Sequence, residues 1–159
     1  MNPYCTVDEA DAYFLTRLNT EDWTYASDDE RLRALNMATR AINNLNFAGE
    51  KYFPSQEDEF PRIINDIVYG IVNEDLSMTY PTWLKEATCE IAVNLLDGTD
   101  MEQEAENLLA VGQSYATVST SYNSQVVSEH MRAGIPSIVA WNLIKPYLAN
   151  TRSINLRRG

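Results

Sequence analysis

Apolar residues return every three or four positions over three long stretches of the chain, and each stretch opens and closes on residues suited to helix ends. The first is announced by "TVDE", in which the Thr6 side chain can accept from the Glu9 backbone while Glu9 reaches back, a capping box. Val7, Ala10, Phe14 and Leu18 then share a stripe. A second capping box, Ser27 to Glu30, opens a helix that turns Leu32, Leu35, Ala38, Ile42 and Leu45 one way. Its stop is expected near "FAGEK", where Gly49 can adopt the left-handed conformation. Trp23 and Tyr25 fall in the connection between the two helices and are expected to plug its open end. The third helix starts at Pro81, which suits a first turn. It carries Leu84, Ala87, Thr88, Ile91 and Leu95 on its stripe with Trp83 beside it, and Gly98 ends it. Each helix alone would be marginal in water, so the three are expected to bury their stripes together.

The segments between and after them are less regular. Residues 50–61, with two prolines and four acids, read as a surface loop that Phe53 and Phe60 pin to the body. Ile63, Ile64, Ile67, Val68 and Ile71 recur at spacings of three and four, which favours a short amphipathic helix. Their β-branched content keeps a strand open. Residues 99–111 could restart a helix after Asp100. Beyond Gly112 the texture turns to Ser, Thr, Tyr and Val, the composition of a strand or an extended arm that must find a neighbour to pair with. A last helix gathers Ile138, Trp141, Leu143 and Ile144 until Pro146 kinks or ends it. Ile154 and Leu156 then alternate with polar residues, as in a short strand that could add to another sheet's edge.

The fold class expected is therefore mainly α: a helical bundle with an extended arm or short β-hairpin and a flexible C-terminal tail. Residues 1–150 form the helical domain, 112–130 the arm, and 151–159 the tail. The 159 residues are enough for one modest core, and with 45 % hydrophobic and 22 % charged residues the chain should fold. No apolar run is long enough for a bilayer span and the N-terminus lacks a signal peptide's basic start, so a soluble intracellular protein is expected, with no membrane partner. Cys5 and Cys89 have no metal or redox spacing and are expected to stay free thiols.

Charge divides the chain. Residues 1–110 carry 7 Lys/Arg against 22 Asp/Glu, a net −15, whereas residues 111–159 carry 5 against 1, a net +4. An acidic body repels nucleic-acid phosphate, while the tail, with Arg152, Arg157 and Arg158 and no acid, suits contact with a partner.

Candidate chemistry is sparse. The single histidine, His130, rules out a multi-histidine metal site and reads as a surface residue. The acidic runs Glu57 to Glu59 and Glu102 to Glu106 lack the spaced ligands of a calcium loop and read as solvated faces. No phosphate-cradling glycine motif is present. No enzyme activity, cofactor or metal is expected. Tyr115 and Tyr122 are the best candidates for base stacking, but no basic groove accompanies them and packing is the favoured reading.

The order "TVDEADAYF", "ALNMATRAINNL", "FPR", "YPTWLKEATCEIAVNLL", a Ser/Thr/Tyr/Val arm and "IPSIVAWNLIKPYL" resembles the tailed-phage head-tail adaptor, or connector, proteins over residues 6–148. Closely similar sequences are also labelled DnaT-like single-stranded-DNA-binding proteins. The adaptor resemblance implies a virion protein of the neck, made in the host bacterial cytoplasm. It would form a ring of typically twelve copies below the portal, lengthen the DNA channel and offer a tail or neck protein its attachment site. On that reading Arg152, Ile154, Leu156, Arg157 and Arg158 dock on the portal protein. Tyr115, Val118, Tyr122 and Val126 contact a neighbouring subunit or the lumen, and DNA passes without specific binding. The alternative is single-strand binding in phage replication, with Arg132, Lys145, Tyr147 and the tail as a small basic patch.

Overall fold

The computed structural model describes residues 2–74, 77–99 and 128–149. The protein is mainly α, with a few short antiparallel strands inserted between its two long helices.

Helix α1 (Val7–Phe14) begins at the expected capping box, with both the Thr6 and Glu9 hydrogen bonds present. Ala10 and Phe14 face inward. Leu18 does not join them, because the helix closes after two turns: Thr16 and Arg17 bond back three residues instead of four, and Asn19 takes φ +58°. Leu18 is left 88 % exposed. The connection folds into a short helix, α2 (Glu21–Tyr25). Here Trp23 is buried against Phe14 and donates its Nε1–H to Asp11 at 2.8 Å, whereas Tyr25 points to solvent. Trp23 alone plugs the hairpin.

Helix α3 (Asp28–Asn43) has the second capping box and buries Leu35, Ala38 and Ile42, with Leu32 at the exposed first turn. It stops at Asn43, six residues before Gly49. Gly49 serves a different purpose: at φ +70° it lets the backbone pass so close to Ile63 that a Cβ would lie 1.9 Å from that residue's carbonyl oxygen.

The sheet begins there. Strands β1 (Glu50–Lys51), β2 (Arg62–Ile64) and β3 (Ile67–Tyr69) pair antiparallel in that order, with Glu50 opposite Ile63 and Ile64 opposite Ile67. Strands β4 (Ile71–Val72) and β5 (Met78–Thr79) form a second pair. This corrects the helix expected from residue 62 onward. Asn65 and Asp66, at φ +51° and +63°, make the two-residue turn with both positions left-handed that favours a tight hairpin. Such a turn places paired residues three apart in sequence, so Ile64 and Ile67 reproduce a helical spacing while lying on two strands. The preceding segment is not a loose surface loop either, since Phe60 is buried while Phe53 remains exposed.

Helix α4 (Thr82–Leu96) is the centre of the molecule, with Pro81 as its cap residue instead of its first helical one. Leu84, Ala87, Thr88, Cys89, Ile91 and Ala92 are all fully buried, and Leu84 or Ile91 alone contributes about 1.5–3 kcal/mol over an exposed position. The Thr88 hydroxyl is satisfied by donating to the Leu84 carbonyl at 2.7 Å. Gly98 at φ +83° ends the helix, with Gly98 N–H on Leu95 O and Thr99 N–H on Asn94 O, the paired bonds of a Schellman stop.

Helices α5 (Glu129–Arg132) and α6 (Ile138–Ile144) complete the body; α6 packs along α4 through Ala140, Trp141 and Ile144, while Ile138 stays outside. Pro146 converts the end of α6 into a single 3-10 turn, Lys145–Tyr147. After it the chain pairs with residues 46–48, through Ala48 N–H on Tyr147 O and Ala149 N–H on Asn46 O. No helix among the described residues is long and apolar enough to cross a membrane.

Candidate functional site

Three features of the surface and its underlying charge bear on function: where the cations go, what the apolar surface presents, and what lies between α3 and α4.

The cations are largely spent inside the protein. Arg17 pairs at 2.7 Å with Glu90, a carboxylate buried on α4 that also accepts from the Tyr13 hydroxyl at 2.6 Å. Burial and then the Glu90 contact push the Tyr13 hydroxyl above its ordinary range, so it stays a donor. Arg31 bonds the Trp23 and Thr24 carbonyls and lies 3.6 Å from Asp11. Lys85 holds Glu9, and Lys51 reaches Glu59 at 3.1 Å.

Arg62, the third residue of "FPR", is the most deeply committed. It is 8 % exposed and donates to the carbonyls of Ala48 at 2.6 Å and of Phe47 and Gly49 at 3.1 Å, with Glu59 at 2.6 Å. Its planar fork suits three converging carbonyls where an ammonium would not. Beside it the Tyr4 hydroxyl bonds Asn43 and accepts from the Glu59 and Phe60 amides, tying the N-terminus, α3 and the start of β2 together. Glu59 is thus a partner of two cations and Asp58 accepts from Asn43, which corrects the solvated reading for those two, while Glu57 stays exposed. Nothing in the sequence pattern marked Arg62 as structural, beyond the aromatic and proline that precede it.

Of the basic patch expected from Arg132, Lys145, Tyr147 and the tail, the first three are described and the tail is not. Lys145 is paired with Glu129 at 2.6 Å, and the Tyr147 ring is stacked on Trp83, centroids 3.9 Å apart and planes within 7°, with Tyr69 against its other contacts. Trp83 thus occupies one face of that ring. Arg33, Arg40 and Arg132 take part in no ion pair among the described residues. His130 sits half-buried on α5, its Nδ1 2.9 Å from the Ile135 carbonyl, so that nitrogen carries the proton.

Large apolar residues are exposed at several places, two of which bear on partners. Leu15, Leu18 and Tyr25 crowd the turn from α1 to α2, each more than four-fifths exposed, and Ile67, Val68 and Ile71 stand out on the hairpin. Between α3 and α4 lies an open groove of about 660 Å³, lined by Met37, Arg40 and Ala41 on one side and Ile91 and Leu95 on the other, with Pro136 at its end. Its walls are mainly apolar, with Arg40, Asn44 and Thr99 as the polar side chains of the lining. Among the described residues no cluster of His, Cys, Asp or Glu could hold a metal ion.

The residues expected to dock on a portal, Arg152, Ile154, Leu156, Arg157 and Arg158, lie outside the described residues. So do Tyr115, Val118, Tyr122 and Val126, the expected subunit or lumen contacts, and the arm and tail that carry them.

A family model described as "Putative DnaT-like ssDNA binding protein" matches residues 1–159. That description agrees with the single-stranded-DNA-binding label and not with the head-tail adaptor reading. No curated protein and no solved structure matches the chain.

Proposed function

Taking as premise that the chain belongs to the family described as putative DnaT-like ssDNA binding proteins, we propose that it is a structural assembly protein, a head-tail adaptor of a tailed phage. Copies of it would form a ring of about twelve below a portal protein, extend the DNA channel and offer a tail or neck protein its seat. The number is that of the adaptors it resembles, and closed rings are built from such head-to-tail contacts between identical chains.

One observation carries this reading: six of the nine Lys and Arg side chains among the described residues are tied to acids of the same chain. A protein that grips single strands needs a groove of unpaired Lys and Arg beside stacking aromatics. Here Arg17, Arg31, Lys51, Arg62, Lys85 and Lys145 are each held by an acid of the same chain. The remainder is a body with an excess of carboxylate, past which DNA would slide without the salt-sensitive hold that clustered cations create. The exposed apolar turn and hairpin fit a chain that works against other proteins. Arg152, Ile154, Leu156, Arg157 and Arg158 are the proposed portal contacts, and the virion neck the proposed location.

The family description favours a second reading, single-strand binding in a phage replication system. It would rest on Arg152, Arg157 and Arg158 with the unpaired Arg132. Sedimentation velocity over a concentration series, with and without a labelled single strand of ~30 nucleotides at low salt, separates the two. A discrete ring that leaves the strand behind supports the adaptor. Co-sedimentation that vanishes with added salt replaces it with the second reading.

A further inference from the structure

Two thiols far apart in sequence meet in the core. Cys5, just ahead of the α1 cap, and Cys89, in the middle of α4, are 84 residues apart, both fully buried, and their Sγ atoms stand 3.4 Å from each other. The Cys5 thiol is also within 3.5 Å of the Thr6 carbonyl, so Cys5 donates there and Cys89 donates to Cys5. Glu90 and Glu9 act on Cys89 only through their charge, and among the described residues no set of His, Cys, Asp or Glu around the pair could hold a metal.

We infer that Cys5 and Cys89 are an oxidative cross-linking site, able to close an intramolecular disulfide that fastens the N-terminal segment to the central helix. The sulfurs need to approach by about 1.4 Å to reach bonding distance. The oxidant is a small-molecule disulfide such as oxidised glutathione. One cysteine thiolate attacks it, forming a mixed disulfide and releasing one glutathione thiolate. The second cysteine thiolate then attacks the protein sulfur of that mixed disulfide and releases the other. Two protein thiols are oxidised, one glutathione disulfide is reduced to two glutathione thiols, and the two cysteine protons pass to the solvent or to the released thiolates.

The surroundings set the rate. The contact with Cys5, together with burial, pushes the Cys89 thiol above its ordinary range, so the closed protein offers little thiolate. Cys5 follows Tyr4, which is held by its N–H on Thr39 and by its hydroxyl network, and precedes the α1 cap, so it sits outside any helix or strand. Opening of residues 2–6 is the step that admits the oxidant, and oxidation is therefore slow in buffer and faster in urea below the unfolding midpoint. Once made, the bond closes a long loop and keeps that segment from leaving. None of this depends on the proposed function.

The test is to purify the full chain reduced and incubate it with oxidised glutathione, with and without sub-denaturing urea. The expected product has lost two hydrogens and carries no glutathione. Its tryptic peptides 1–17 and 86–132, each with one cysteine, migrate as one species until reduced. Its urea midpoint rises by about 1 M or more. A stable glutathione adduct, a disulfide-linked dimer, or unchanged mass after incubation in urea overturns the inference. The Cys5→Ser chain must not lose the two hydrogens; if it does, the pairing is wrong.

Discussion

Replacing Arg62 by alanine removes one side chain but four interactions, and the loss can be worked through. The guanidinium is 8 % exposed and bonds the carbonyls of Phe47, Ala48 and Gly49 as well as Glu59. Hydrogen bonds to a charged group are worth about 1.5–3 kcal/mol each, and breaking a buried pair costs about 3–5 kcal/mol in all because the contributions do not add. Glu59 keeps Lys51 at 3.1 Å, so its carboxylate is not orphaned and the cost falls toward the lower end, about 3 kcal/mol. With a urea slope of about 2 kcal/mol/M for a chain of this size, the midpoint should drop by about 1.5 M. Arg62→Lys preserves the charge but reaches fewer of the three carbonyls, so it should recover about a third of the loss. Urea unfolding followed by tryptophan fluorescence measures both, with Arg33→Ala as an exposed control expected to stay within about 0.5 kcal/mol. A shift under about 0.4 M for Arg62→Ala, or a lysine variant as stable as the parent, would refute the assignment of Arg62 as the organiser of this corner.

Gly49→Ala should cost at least about 2 kcal/mol in the same assay, because the added Cβ meets the Ile63 carbonyl and the backbone is left-handed there. Ser27→Ala should cost about 1 kcal/mol through loss of the α3 cap, with the helical circular dichroism of the folded state unchanged. The Glu9 carboxyl gives a pH-dependent difference: burial raises it, but hydrogen bonds from Lys85 and Thr6 outweigh that and hold it below its ordinary value of 4.5. A carboxyl lowered in the folded state stabilises above its unfolded value and loses that contribution as pH falls through the folded one. The parent should therefore exceed Glu9→Gln in stability at neutral pH, by under about 1 kcal/mol for so exposed a pair, and the gap should shrink steadily as pH falls below the ordinary carboxylate value of 4.5. A gap that stays undiminished down to the acid unfolding of the protein would remove Glu9 from the account.

The parts of this fold that were legible in the sequence are those whose cause lies within one helical turn. Both capping boxes, the inward stripes of α3 and α4, the stop at Gly98 and the end of α6 at Pro146 each depend on residues three or four apart, where backbone geometry leaves little choice. The hairpin misled because its two-residue turn copies a helical spacing, and only the partner strand distinguishes the two. Leu18 misled because a stripe does not state where its helix ends.

The candidate site was less legible, since its meaning depends on pairs remote in sequence. Composition set the acidic excess and the basic end, but not that Arg17 meets Glu90, that Lys85 meets Glu9, or that Tyr147 is covered by Trp83. Those pairings decide whether a cation or a ring is available to a ligand, and they follow from how the helices pack. The Cys5 and Cys89 contact is of the same kind: each thiol reads as a small apolar residue in its own segment. The chain's local chemistry determined its helices and its charge, while the packing of α1, the hairpin and α6 around α4 decided which groups face one another, because burial is shared between segments that no local pattern relates.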